Sequence, residues 1–372
     1  MTTQATLELV PGPKSPNGPQ GGAVDSPDST GFDIGWDHAR HALVPPPELL
    51  LEGTPIGQGW RAARAVFGRR TLPAPQATRQ WLALRTQAWR EGIAFERQQV
   101  TPHYLAQLQV TRCPVLRTAL GGAPGQPDAA VFERLNPHAA FAAGNLVMMS
   151  RGAAQARAGV DLLETLRRAR RAECSGETVE GLDAGAWWRL AALRACAMPL
   201  PFHEAARLPL AVLPPNRVRL LNPAQGLQAL VTLLFTTPGW SGRTRALAAL
   251  LPEHTVRHDF NLFVGALAPR VLEAGPDTVG LRRALENAWL QERVQRRWQH
   301  FVLSLGEAAT AALLERATAD GLTAVRTVSH PLAQATDGWG LAEGGRVRPV
   351  WRGRLPAMRQ PASATTARHF AC

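Results

Sequence analysis

Residues 112–159 read RCPVLRTALGGAPGQPDAAVFERLNPHAAFAAGNLVMMSRGAAQARAG, and the fold of the chain is best predicted from this stretch. Residues 130–135 and 146–149 are short apolar runs with the composition of strands, and Gly144-Asn145 before the second run is typical of a tight turn. Ser150 follows the second run and has the side chain of a helix N-cap. The stretch therefore predicts two strands followed by a helix.

The predicted helix extends beyond this stretch. Apolar residues continue at helical spacing from Ala153 through Val160 to Leu166. We therefore expect one continuous helix that begins after Ser150 and carries the arginines that end at Arg171.

The order of these parts resembles the HNH nuclease family, whose core is a ββα unit that holds one metal ion. The residues that carry the resemblance are Cys113-Pro114, Glu133-Arg134-Leu135-Asn136, Phe141, Gly144-Asn145-Leu146, Ser150 and Arg157. The resemblance is confined to residues 112–159 of the 372. It implies a ββα fold, a divalent cation and a nucleic-acid partner, DNA before RNA.

The resemblance also implies a role for individual residues. Glu133 would be the ligand of Mg²⁺ or Mn²⁺, and Asn145 would brace the loop between the strands. His138, in that loop, would be the base that activates water. Arg134 would contact the phosphate, and Arg157 on the helix would contact the nucleic-acid backbone.

Two positions depart from the family's pattern. Arg134 stands where the base is expected, and arginine stays protonated in proteins, so it cannot take a proton from water. Ala154 stands where the helix usually supplies the last ligand, with Gln155 beside it. The resemblance therefore predicts a degenerate member of the family, which binds nucleic acid and is a weak or inactive metal-dependent endonuclease.

The charge of the chain agrees with a polyanionic partner. Lysine and arginine number 41 against 29 acidic residues, which gives a formal net charge of +12, and Lys14 is the single lysine. The densest basic cluster is Arg167, Arg168, Arg170 and Arg171, which we expect to hold a nucleic-acid backbone. Two alternatives stay open, because a helix C-terminus also favours cations and a nucleotide bias would favour arginine codons.

Cysteine spacing and hydropathy exclude several classes of protein. Cys113, Cys174, Cys196 and Cys372 form no C-x-x-C pair, so neither a structural zinc nor a disulfide framework is expected. No apolar run reaches 18 residues, so we expect no membrane span. The first residues lack the features of a signal peptide, which favours a cytoplasmic protein.

Composition divides the chain into five parts. The expected parts are a disordered tail over 1–30, an N-terminal helical region over 31–100, the HNH-like ββα unit over 101–173, a C-terminal helical domain over 174–328 and a basic, largely disordered tail over 329–372. Helices are expected over 77–99 and 281–305, and a short strand over 110–115. The expected fold class is α+β, predominantly α-helical, with a small embedded ββα unit.

A second function fits the same sequence. The helices that follow Gly159 are rich in tryptophan and leucine. If the ββα unit serves only as support, these helices would bind a protein partner, and the molecule would be a non-catalytic interaction scaffold.

Overall fold

The computed structural model of the chain describes residues 27–274, 277–322 and 332–347. These residues are predominantly helical and contain one two-stranded antiparallel sheet. A helical protein with a small strand–strand–helix unit is therefore confirmed. The described residues form two compact units, which we call the large unit (residues 94–346) and the small unit (residues 27–93 with Val347).

The small unit is a group of three helices. They are α1 (Pro27–Arg40), α2 (Pro55–Phe67) and α3 (Gln76–Glu91). Helices α1 and α2 can approach closely because Gly35 and Gly59 have no Cβ atom. A Cβ atom at Gly35 would lie 2.0 Å from the Ile56 carbonyl oxygen, and a Cβ atom at Gly59 would lie 2.0 Å from the Phe32 carbonyl oxygen. Only glycine fits at either position, so these two residues set the helix packing.

The large unit begins with the strand–strand–helix unit and continues as a series of helices. Its elements are α4 (Pro102–Gln107), β1 (Ala130–Arg134), β2 (Leu146–Ser150), α5 (Arg151–Ala156), α6 (Leu162–Ser175), α7 (Ala184–Cys196), α8 (Phe202–Ala205), α9 (Pro223–Phe235), α10 (Trp240–Ala249), α11 (His254–Leu267), α12 (Pro269–Ala274), α13 (Thr278–Ala288), α14 (Glu292–Leu305), α15 (Glu307–Ala319) and α16 (Leu332–Ala335). The predicted unit over 101–173 and the described residues of the predicted domain over 174–328 lie together in this large unit.

The two strands share a hydrophobic core with the helices that follow them. Every residue of β2 is buried, and Val147 and Met149 pack in one cluster with Trp187 and Leu190 of α7. Trp339, far along the chain, is fully buried in the same cluster, and its indole Nε1 donates to the Ala143 carbonyl oxygen at 3.0 Å. The strand–strand–helix unit is therefore held in place by the helical part of the chain.

The helix expected over 281–305 is instead two helices, α13 and α14. Trp289 lies in the break and Trp298 on α14, and their rings meet edge to face at 5.3 Å in one aromatic core. Residues nine apart on a continuous helix lie on opposite faces, since each residue turns by about 100°. The break allows both tryptophans to enter the same core, so the prediction of one helix is wrong.

Three further predictions are corrected by the structure. Residues 110–115 form no strand, because the chain turns and the Arg117 N–H donates to the Cys113 carbonyl oxygen at 2.8 Å. The helix expected over 77–99 ends at Glu91, where Gly92 adopts φ +63°. The helix after Ser150 ends at Ala156, and a new helix, α6, starts after its N-cap Asp161.

Part of each predicted disordered tail is ordered in the described structure. Residues 27–30 belong to α1, so the predicted disordered tail over 1–30 is wrong at that end. Residues 332–346 of the predicted basic tail are ordered around the buried Trp339. The remaining residues of the two predicted tails, 1–26, 329–331 and 348–372, lie outside the described residues.

Hydropathy of the helices bears on one further expectation. In the part of the chain that the structure describes, no helix combines the length and the apolar character that a membrane span requires.

Replacement of Trp298 tests the aromatic core. Trp298 is fully buried, and its indole N–H donates to the Ala206 carbonyl oxygen at 3.0 Å. We expect Trp298→Ala to lower the free energy of unfolding by about 3–5 kcal/mol, because it leaves a cavity and an unpaired carbonyl. Urea unfolding followed by circular dichroism measures the loss. Leu303→Ala, at a side chain of the same helix that is 41% exposed, should change it far less, and equal losses would contradict the prediction.

Candidate functional site

The β1–β2 pair and α5 form a compact ββα arrangement. The strands pair antiparallel with Glu133 opposite Val147. Ser150 ends β2, and its hydroxyl accepts the N–H of Ala153 at 3.4 Å, so it caps α5 as predicted. The buried thiol of Cys113 lies 3.2 Å from the Ser150 hydroxyl oxygen, whose proton it accepts. This contact ties the turn before β1 to the start of the helix.

Asn145 closes the loop between the strands. Its side chain is fully buried, and its Oδ1 accepts the Asn136 N–H at 2.7 Å. Its Nδ2 donates to the carbonyl oxygens of Asn136, at 3.1 Å, and Ala140, at 3.0 Å. Gly144 reaches φ +87° just before it, which allows the tight turn. These three hydrogen bonds hold the loop between the strands in one course.

Arg134 contributes to the same loop. Its guanidinium Nη1 donates to the carbonyl oxygens of Pro137 at 2.8 Å and Ala139 at 2.6 Å. The guanidinium also lies over the Phe141 ring, 4.9 Å from the ring centroid. These contacts hold the loop in shape, so the charge of Arg134 is already shared with loop carbonyls.

Glu133 forms an ion pair with an arginine at the C-terminal end of α5. Arg157, the C-cap residue of α5, donates from Nη2 to the Glu133 carboxylate at 2.5 Å, and the two side chains are 11% and 25% exposed. Ala154, at the position of the family's last ligand, is buried in the core. The carboxylate expected to bind a metal is therefore paired with a permanent cation.

His138 lies at the surface of the loop. His138 is exposed, and its backbone N–H donates to Asn136 Oδ1 at 2.9 Å. Across the described ranges of the chain, no three His, Cys, Asp or Glu side chains come together as a group able to hold a metal ion. The surroundings of Glu133 therefore do not fit a divalent cation, because one carboxylate paired with arginine is a poor ligand set.

Arg194 is a second arginine near this ion pair, and it was not predicted from the sequence. It lies on α7 and is 1% exposed, and neither its Nε nor its Nη1 has a hydrogen-bond partner in the described structure. Burial, with a smaller contribution from the charge of Arg157, lowers the pKa of Arg194 to about 10, and Asp161 opposes both. The signal was available, because Arg194 interrupts an otherwise apolar face of Leu190, Ala191 and Ala195.

The predicted arginine cluster lies on α6, apart from the helix that follows β2. Arg167, Arg170 and Arg171 are exposed, whereas Arg168 is half-buried, pairs with Glu164 at 3.1 Å and lies over the Trp187 ring. The hydrogen bond from Arg168 is the main cause that lowers the pKa of Glu164. Three of the four predicted arginines therefore face solvent.

Arg170 and Arg171 are exposed arginines of this face, and their charges are available to an external anion. Neither makes an ion pair within the part of the chain that is described, and Arg167 reaches Glu164 only at 3.4 Å. The opposite face of α6 packs on α7 through Ala169 and Ala172. The helix therefore presents its arginines from a fixed position.

The chain was compared with known proteins in three ways. Neither a family model, nor a curated protein, nor a solved structure matches it.

Substitution of Asn145 tests the loop brace. Asn145→Ala removes three hydrogen bonds and leaves the Asn136 N–H buried, and each buried group left unpaired costs about 1–3 kcal/mol. We expect a fall in the free energy of unfolding of that size or more, measured by urea denaturation. Asn261→Ala, at an exposed asparagine of α11, is the matched control. A loss at Asn145 no larger than that of the control would show that the loop does not depend on the amide.

Substitution of Arg194 tests whether its guanidinium lacks a partner. Replacing even a buried ion pair by apolar side chains of similar volume is often neutral or stabilising, by about 1–4 kcal/mol, because the charges no longer have to be desolvated. We therefore expect Arg194→Met to keep or raise the melting temperature, measured by calorimetry. Arg189→Met should lower it, because the Arg189 guanidinium Nε donates to the Val115 carbonyl oxygen. A clear loss in Arg194→Met would mean that this guanidinium supports the fold.

Proposed function

We propose that the large unit binds the nucleic-acid backbone, DNA before RNA, and does not cleave it. The observation that carries the proposal is the ion pair between Glu133 and Arg157. In a ββα arrangement like that of the HNH nucleases, the Glu133 carboxylate would bind a metal ion. Here Arg157 is paired with that carboxylate instead. Loss of the metal ligand set, with retention of surface arginines, favours binding over hydrolysis.

Phosphodiester hydrolysis needs groups that this arrangement does not supply together. A divalent cation would polarise the phosphate and activate water, but Mg²⁺ or Mn²⁺ must displace Arg157 before Glu133 can bind it. Ala154 provides no ligand, and Arg134 cannot accept a proton. His138 is the remaining candidate base, and it is exposed on the loop. We therefore expect no nuclease activity.

The α6 face, which we define as Arg167, Arg170 and Arg171, is the proposed contact with the backbone. Guanidinium groups bind phosphate oxygens in pairs and remain charged at every physiological pH. Because α6 is anchored on α7 by its buried residues, its arginines need not be ordered by a large change of the chain. Contacts to phosphate alone carry no base sequence, so binding should depend weakly on sequence.

A cytoplasmic location belongs to the same proposal. Cys113, Cys174 and Cys196 are free thiols, and free thiols persist in a reducing compartment. Nucleic acid is present there as well.

The first experiment measures binding by fluorescence anisotropy with labelled duplex DNA, single-stranded DNA and RNA. The variant Arg167→Gln/Arg170→Gln/Arg171→Gln should weaken binding and reduce the slope of log K against log salt by about 0.9 for each lost contact to duplex phosphate. The matched control removes three exposed arginines of the small unit, Arg64, Arg69 and Arg70. Equal losses in both variants would indicate unspecific attraction by net charge.

The second experiment tests the absence of cleavage. Purified protein incubated with supercoiled plasmid and Mn²⁺ should leave the plasmid intact, because the metal ligand set is incomplete. Nicking by the wild type that disappears in Glu133→Ala would contradict this part of the proposal and assign Glu133 as a metal ligand.

A second function is favoured by one specific observation on the α6 face. Leu163, on the same side of α6, is 55% exposed, and an apolar side chain among arginines is common at protein interfaces. If the wild type binds none of the nucleic acids at moderate salt, the scaffold function is favoured instead. The large unit would then use this face to bind a protein partner.

A further inference from the structure

Helix α14 carries a second group of exposed arginines. Arg293, Arg296 and Arg297 are all exposed, and we call them the α14 row. Their spacing of three and four residues puts them on one face of the helix. The opposite face of α14 is buried, with Trp298 and Val302 in the hydrophobic core.

Within the described structure, the α14 row lacks the acidic partners that arginines on three other helices have. Arg168 pairs with Glu164 on α6, Arg270 with Glu273 on α12 and Arg282 with Glu286 on α13, each three or four residues apart. The α14 row makes no ion pair among the described residues, although Glu292 is next to Arg293 in the sequence.

An uncompensated row of this kind is unfavourable for the isolated helix. Arg293 lies one turn from both Arg296 and Arg297, and like charges at these spacings repel each other. His300, one turn further, has its Nδ1 3.1 Å from the Asp259 carboxylate of α11, and among the described residues no ion pair joins that carboxylate to the row. The aromatic core holds the helix in place against this repulsion, which leaves the three guanidinium groups available to an external anion.

The dimensions of the row suit a nucleic-acid backbone. From Arg293 to Arg297 the helix rises about 6 Å, and one strand of duplex DNA carries a negative charge about every 3.4 Å along its axis. Three guanidinium groups on long side chains can therefore reach two or three consecutive phosphates. Arginine also matches the planar, paired oxygen geometry of phosphate better than a point charge does.

We propose that the α14 row is a second contact surface for the phosphate backbone, separate in sequence from the α6 face. The proposal rests on the proposed nucleic-acid binding and extends it, since a protein with two backbone contacts binds a longer segment than one helix can cover. Trp298 positions the surface, because its indole N–H is fixed to the Ala206 carbonyl oxygen on the far side of the helix.

The test uses the full chain and three triple variants that each remove three positive charges. They are Arg293→Gln/Arg296→Gln/Arg297→Gln, the α6-face variant Arg167→Gln/Arg170→Gln/Arg171→Gln and the small-unit control Arg64→Gln/Arg69→Gln/Arg70→Gln. Circular dichroism and melting temperature first establish that each variant folds. Anisotropy with a labelled duplex of about 40 base pairs, longer than a single helix can cover, is then measured at several salt concentrations.

The expected result is a loss of affinity of about tenfold or more in the α14 variant at low salt, with a salt slope reduced by roughly 0.9 for each lost phosphate contact. The control should keep the wild-type slope.

Each remaining outcome decides between the two proposals. If the α14 variant binds as the wild type while the α6 variant is weakened, the α14 inference is wrong and the proposed function stands. If the α14 variant is weakened and the α6 variant is not, the α14 inference stands and the assignment of α6 is wrong. If the wild type binds no duplex, both are wrong.

An acidic protein segment is the alternative partner, and poly-aspartate tests it directly. Binding of poly-aspartate that is tighter than binding of a duplex of equal charge, and that is lost in the α14 variant, would overturn the inference. The α14 row would then be a surface for an acidic protein.

Discussion

The loop between the two strands depends on the buried amide of Asn145. This side chain satisfies both the N–H and the carbonyl oxygen of Asn136 and the carbonyl oxygen of Ala140. A backbone group without a partner in the interior is costly, so one side chain that pairs three of them fixes the course of the loop. The position of His138 follows from that course, whereas the pairing of β1 with β2 sets the positions of Glu133 and Arg134.

The charges around Glu133 determine which chemistry the loop can support. A half-buried carboxylate needs a counter-charge, and here Arg157 supplies it from the end of the short helix. A divalent metal ion would also supply positive charge, and it would leave coordination positions open for phosphate and water, whereas a guanidinium only donates hydrogen bonds and activates no water for attack. In the proposed function, the same backbone arrangement supports binding without hydrolysis.

The two arginine surfaces have a common construction. In each, the helix face opposite the arginines is buried against a tryptophan-containing core: α6 packs on α7 beside Trp187, and α14 enters its core with Trp298. Packing of an amphipathic helix stabilises it far more than helix propensity does. Each helix can therefore tolerate several like charges on its solvent side, and those charges are held in a fixed arrangement.

The sequence by itself determined the local parts of the ββα unit. Composition and the Gly144-Asn145 turn predicted both strands, and the hydroxyl of Ser150 predicted the start of α5, because these features act within a few residues of one another. The resemblance also implied that Asn145 braces the loop, and the contacts of its amide match that role. Helix ends were less predictable. Gly159 adopts φ +71° and Asp161 caps the next helix, signals that the apolar periodicity across them concealed.

Only the tertiary structure decided the pairing of Glu133 with Arg157, the burial of Arg194 and the entry of Trp339 into the core. The ion pair joins residues 24 positions apart, and the Trp339 hydrogen bond joins residues 196 positions apart, so no local pattern constrains them. It also decided that residues 281–305 must break, because two tryptophans nine residues apart fill one core. Local structure follows from short-range chemistry, whereas the function of a charged side chain depends on which distant groups the packed core brings to it.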